Sequence, residues 1–89
     1  MDAALSTLSK AVLWFIEDQL SNNDDADDDE LKDCFIKEGL TPDQADHALT
    51  YRPRYAMNIY VDGLTPIRHG TNARRYNPRT HQIEPDQPA

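Results

Sequence analysis

Cysteine is almost missing from this chain. Cys34 is the only one in 89 residues, so no intramolecular disulfide can form and a reducing, cytoplasmic setting is expected. On an apolar helix face it reads first as a small buried hydrophobe and only second as a reactive thiol. Long apolar runs are missing too. The stretch behind Met1-Asp2-Ala3-Ala4 is broken by Ser6, Thr7, Ser9 and Lys10. It lacks both the basic start of a secretory signal and the length to span a bilayer, so no membrane partner is expected. Apolar residues make up 38% of the chain, below the usual level of about 45–50% that counts glycine. A chain this short buries one modest core, which excludes a doubly wound dinucleotide fold and a deep cleft between domains.

Complete catalytic and metal signatures are absent as well. Aligning Asp25, Asp27 and Asp29 with the first ligands of a calcium loop puts Glu30 where glycine is required and Ile36 where the bidentate glutamate belongs. His47, His69 and His81 lie on three separate segments with no cysteine beside them, which argues against zinc. Cys34 and His47 could form a nucleophilic pair only if the cysteine faced outward and a third group oriented the histidine. Gly63 and Gly70 stand in loops that do not make a phosphate cradle. No catalysis, metal or cofactor is expected.

What the chain has is charge, unevenly placed. The formal net charge is −7; residues 1–50 carry −10, residues 51–81 carry +5, and the last eight carry −2. Such asymmetry speaks to partners: the acidic half repels nucleic acid and suits a basic protein surface, and the basic half could do the reverse.

Apolar spacing predicts a helix from about Ala3 to Leu20, with Leu5, Leu8, Val12, Phe15 and the flanking Leu13, Ile16 and Leu20 on one broad face and Trp14 beside it. That face needs two covering elements or a partner chain. A second helix spans roughly Asp28 to Glu38, with the end of the acidic run at its favoured N-terminus and Gly39 as its stop. Thr41-Pro42-Asp43-Gln44 opens a third helix through a capping box with proline at N1. That helix should end by Tyr51, because Arg52 precedes Pro53. Tyr55 to Val61 then alternates as a strand, Asp62-Gly63 makes a hairpin turn, and Leu64 to His69 returns as a second, Pro66-limited strand. Gly70 to Arg79 reads as basic loop, and residues 81–89 as a flexible, proline-containing tail on a single domain of residues 1–80.

The expected fold is therefore α+β, three helices followed by a β-hairpin. Helix, helix, tight turn, helix and hairpin over about residues 5–70 resembles a winged helix-turn-helix domain. The residues that carry the likeness are Phe35-Ile36-Lys37-Glu38-Gly39-Leu40-Thr41-Pro42-Asp43-Gln44-Ala45-Asp46-His47-Ala48-Leu49. Glycine sits at the bend, an apolar residue follows, threonine caps, and small apolar residues occupy positions 45 and 48. The resemblance implies that Met57 to His69 is the wing and that the third helix reads DNA. The same string also looks like the Gly-Leu turn of ubiquitin-associated-type three-helix modules, which bind proteins. A reading helix led by Pro42, Asp43, Gln44, Asp46 and His47 brings carboxylates to phosphates and no cation.

Two patches remain as candidate sites. Asp24, Asp25, Asp27, Asp28, Asp29 and Glu30 form the first, extended by Asp33, Asp43 and Asp46 where helices two and three pack side by side. A row of carboxylates can occupy a groove that otherwise takes strand phosphates, which recur about every 3.4 Å along the axis; the plain alternative is a solvated face. Arg52, Arg54, Arg68, Arg74, Arg75, Tyr76 and Arg79 form the second, a composition common to protein hot spots and single-strand binders, unless the arginines pair with the acidic half. The expected function is a non-enzymatic acidic protein that docks on a basic protein surface and blocks a nucleic-acid-handling machine. Small phage-type inhibitors, anti-CRISPR and anti-restriction proteins among them, are similar in kind. The alternatives are a DNA-binding regulator using wing and arginines, and a dimerising adaptor using helix one and Trp14, so the chain is a monomer or a homodimer.

Overall fold

Hydroxyl side chains break the first helix in two. In the computed structural model, which describes residues 1–86, Ala3–Leu5 is a 3-10 turn capped by Asp2, and helix α1 runs only from Lys10 to Asn22. Ser6 Oγ donates back to the Ala3 carbonyl, and Ser9 leaves the helix to accept the Val12 N–H as N-cap. Serine competes with helical backbone in this way, so the apolar period continues while the helix does not.

Helix α2 spans Asp28–Lys37 and α3 spans Pro42–Leu49, each opened by a complete capping box: Asp27 with Glu30, and Thr41 with Gln44. Gly39 has φ of +112°, and the amides of Gly39 and Leu40 donate to the carbonyls of Ile36 and Phe35. That closing motif needs a left-handed residue, which is why glycine stands there.

Beyond Tyr51 the expected strand is replaced by helix α4, Arg52–Met57. Proline is as well suited to a helix's first turn as to its boundary. Pro53 occupies that turn, and the helix then buries Tyr55 against the core and packs along α1. Only Ile59–Tyr60 remain as strand β1. The turn at Asp62-Gly63 does form, with the Leu64 N–H on the Val61 carbonyl, but no strand returns from it. Thr65 instead caps a short helix α5, Pro66–His69, because Pro66 fits a first helical turn and offers no N–H to a ladder. The wing expected between Met57 and His69 is thus absent.

The hairpin lies later. Strands β2, Arg74–Asn77, and β3, Gln82–Pro85, make an antiparallel pair, and β1 adds to β2 in the order β1-β2-β3. Arg74–Asn77 of the expected basic loop and Gln82–Pro85 of the expected tail are therefore sheet, while Gly70–Asn72 forms a 3-10 turn. Asp86 fastens the end: its amide donates to the Ala73 carbonyl, and its carboxylate accepts from Arg54 and the Tyr60 hydroxyl. Residues 87–89 of the expected tail lie outside the described residues. The chain is α+β, four helices leading into a three-stranded antiparallel sheet that also encloses the short α5.

One apolar cluster joins these parts, drawing on Leu5, Leu13, Ile16, Leu20, Leu31, Phe35, Leu40, Ala45, Ala48, Tyr55 and Ile67. Phe15 and Phe35 meet edge to face, with centroids 6.5 Å apart. The broad face of α1 is thus covered by the chain's own α2 and α4.

A polar latch holds the first residues to α3. The Asp2 carboxylate accepts from the Tyr51 hydroxyl and the Ala4 amide and lies 2.7 Å from His47 Nε2, and Gln44 Nε2 donates to the Ala4 carbonyl. Burial alone would raise the Asp2 carboxyl, but the hydrogen bonds from Tyr51, His47 and Ala4 outweigh it and hold the group below its ordinary value. A carboxyl lowered by folding stabilises the fold above its unfolded pKa, about 3.9, and loses that contribution as pH falls through the folded value. Asp2→Asn should therefore cost about 1–2 kcal/mol at pH 7. In urea titrations the gap between the two proteins should narrow as pH falls below about 4; a gap independent of pH would show that the carboxylate's charge is not involved.

Candidate functional site

Helices α2 and α3 do pack side by side, so the two parts of the acidic set lie on one helix pair, bridged by Lys32 and Asp46. Its members then divide by what they touch. Asp27 Oδ1 accepts the Glu30 amide at 2.8 Å and Glu30 Oε1 accepts the Asp27 amide, so both serve the helix start. Asp28 takes Arg52 Nη1 at 2.7 Å, and Asp46 takes Lys32 Nζ at 2.9 Å. The Lys32 ammonium is held above its ordinary value, chiefly by the hydrogen bond to Asp46, with Asp29 and Asp43 adding their fields. Asp24, Asp25, Asp29, Asp33 and Asp43 are exposed, and among the described residues their carboxylates make neither ion pair nor hydrogen bond.

The basic set is mostly spent inside the fold. Arg68 Nε meets Glu17 at 2.6 Å, Arg75 Nε meets Glu84 at 3.1 Å, Arg54 meets Asp86, and Arg52 meets Asp28. Arg52 also donates to the Asn23 and Ala26 carbonyls, tying the acidic loop to the start of α4. Tyr76 reaches His81 Nδ1 across the hairpin. Arg74 and Arg79 alone of the six arginines make no ion pair among the described residues, and they stand at opposite ends of the hairpin, one on β2 beside Pro85 and one in the turn. The expected arginine surface is not assembled as a single patch.

A third feature escaped sequence reasoning. A groove of about 410 Å³ lies between α1 and the segment around β1, with Lys10, Trp14 and Asp18 on the helix side and Tyr60, Asp62 and Gly63 opposite. Trp14 is 64% exposed. Beneath it, Glu17 accepts from the Tyr55 hydroxyl at 2.7 Å and from Arg68. Burial pushes the Tyr55 hydroxyl far above its ordinary value, and the adjacent Glu17 carboxylate adds to the shift, so the phenol stays a donor. The four-residue spacing of Lys10, Trp14 and Asp18 marks one helix face, and that was the signal available in the sequence; the opposite wall was hidden because β1 was expected in a different pairing.

No family matches this chain. Neither a curated protein nor a solved structure matches it either, so the winged-helix likeness gains no support and function rests on geometry. Among the described residues no helix is long and apolar enough to cross a membrane, and no group of three His, Cys, Asp or Glu side chains is placed to hold a metal ion. His47 is engaged with Asp2 and meets the Tyr51 ring edge to face.

Proposed function

We propose that this chain is a non-enzymatic binding protein whose acidic end docks on the basic surface of a protein that handles nucleic acid, blocking or modulating it. One observation carries the reading: Arg54, Arg68 and Arg75 are bound to Asp86, Glu17 and Glu84, outside the acidic patch, and Arg52 offsets only Asp28 within it, while five carboxylates on the loop before α2, on α2 and at the start of α3 keep their charge exposed. A surface of one sign steers association with the opposite sign and repels its own. A regulator reading DNA through α3 would bring these same carboxylates to the phosphates.

The test follows displacement. Labelled duplex DNA is first bound by a basic DNA-binding protein, and the chain is then added. Release of the DNA is expected with the native chain. The variant carrying Asn at positions 24, 25, 29 and 33 should need at least roughly tenfold more protein for the same release. Asp27 and Asp28 stay untouched, since their loss would unsettle the fold. Direct binding of labelled duplex by the chain itself, with a steep loss between about 50 and 200 mM salt, would overturn the proposal in favour of a DNA regulator.

A further inference from the structure

Strand β1 is an edge strand, and its residues line the groove and the cavity beside it. The Val61 amide donates to the Arg74 carbonyl at 3.0 Å, while Tyr60 stands opposite Arg75. Hydrogen-bonded and non-bonded pairs alternate along an antiparallel ladder, so Tyr60 turns its own N–H and C=O away from β2, toward the groove. A second cavity of about 270 Å³ shares Ser21, Asn22, Tyr55 and Tyr60 with the groove and carries it on past Met57 and Ile59. The result is a slot with a strand edge on one side and helix α1 on the other. Lys10 to Asn22 spans about 18 Å of helix, enough to flank five or six extended residues.

The lining says what would fill it. Glu17 and Arg68 cancel each other, leaving Asp18 and Asp62 as carboxylates outside any ion pair among the described residues, with Lys10 a turn beyond Trp14. Trp14 and Asp18, four apart on one helix face, present an exposed indole next to a carboxylate. That combination holds a guanidinium by its face and its edge at once. We infer that the slot takes an extended, arginine-bearing segment of a protein partner as an added strand on β1, the arginine lying over Trp14 toward Asp18. Main-chain bonds to Tyr60 give the attachment and the arginine gives the choice, as in other strand additions to open sheet edges. The identity of the partner as a basic protein rests on the function proposed above; the slot and its chemistry stand apart from it.

A phage-displayed library of random twelve-residue peptides, panned against the full chain near 0.15 M salt, tests this. Enrichment of a single arginine within an alternating apolar-polar segment is expected. The synthetic winner should shift amide resonances of Trp14–Asn22 and Tyr60–Gly63 and protect the Tyr60 amide from exchange. Trp14→Ala and Asp18→Asn, both at the surface, should each weaken it roughly tenfold, while the variant with Asn at 24, 25, 29 and 33 should bind it as the native chain does. Failure to enrich any peptide, binding indifferent to Trp14 and Asp18, or shifts confined to residues 24–46 would overturn the inference. Amide shifts at the same edge that grow with protein concentration alone would also overturn it, by making a second copy of the chain the occupant. Loss of DNA displacement with retained peptide binding separates a failure of the docking proposal from a failure of the slot.

Discussion

Arg52→Ala is expected to lower stability by about 2–4 kcal/mol, a large part of the roughly 5–15 kcal/mol that holds a domain of this kind together. The Arg52 side chain is 17% exposed and makes three bonds, one to the Asp28 carboxylate and two to the carbonyls of Asn23 and Ala26. Truncation leaves those carbonyls partly buried with no donor, a cost that exceeds the modest net value of a hydrogen bond. Asp28 itself is well exposed and can return to water, which keeps the loss below that of a fully buried ion pair. Arg52→Lys keeps the charge but not the fork, and so should recover less than half of the loss. Urea unfolding midpoints at pH 7 with unchanged slopes check this. A loss below about 0.5 kcal/mol for Arg52→Ala would mean that the pair is an ordinary surface contact. The same arginine sets the entry of the loop holding Asp24 and Asp25, so Arg52→Ala should also weaken displacement of DNA from a basic partner.

Local signals in the first half of the sequence translate directly into structure. Thr41-Pro42-Asp43-Gln44 and the Asp27–Glu30 start become capping boxes, and Gly39 takes the left-handed stop, because each depends on bonds within a few residues. From Arg52 onward the outcome depends on partners distant in sequence. Tyr55 alternates with its neighbours as a strand residue would, yet its ring is buried in the core and its hydroxyl reaches Glu17, 38 residues away. That contact favours helix over local β-propensity. Residues 82–85 carry no strand signal of their own and join the sheet through pairing with β2, secured by Asp86 on Arg54 and Tyr60. Of the candidate surfaces, the acidic one was legible as a run of like charges, although the separation of capping and paired carboxylates from exposed ones needed the fold. The groove was hardly legible, since its two walls come from residues 10–22 and 55–68.

Glu17→Ala should remove about 3–5 kcal/mol, the range for breaking a largely buried ion pair from one side. Glu17 is 11% exposed and is shared by two donors, the Arg68 guanidinium on Oε1 and the Tyr55 hydroxyl on Oε2. Without it, a partly buried guanidinium loses its counter-charge and a buried phenol its acceptor. The phenol cannot relieve the loss by ionising, because burial holds its proton firmly. The Ile67 amide still donates to the Tyr55 oxygen at 3.3 Å, which satisfies the oxygen as acceptor but gives the O–H no new partner. Glu17→Gln, of nearly the same shape, keeps an acceptor for one donor and should lose about half as much. Because the pair closes the underside of the groove, Glu17→Ala should also reduce peptide capture beyond what instability explains, and Glu17→Gln in a still-folded chain isolates that part. Native-like stability of Glu17→Gln would show that side-chain volume and neutral hydrogen bonding rather than charge pairing hold α1 to α5, and would remove the electrostatic basis for treating the groove as preformed.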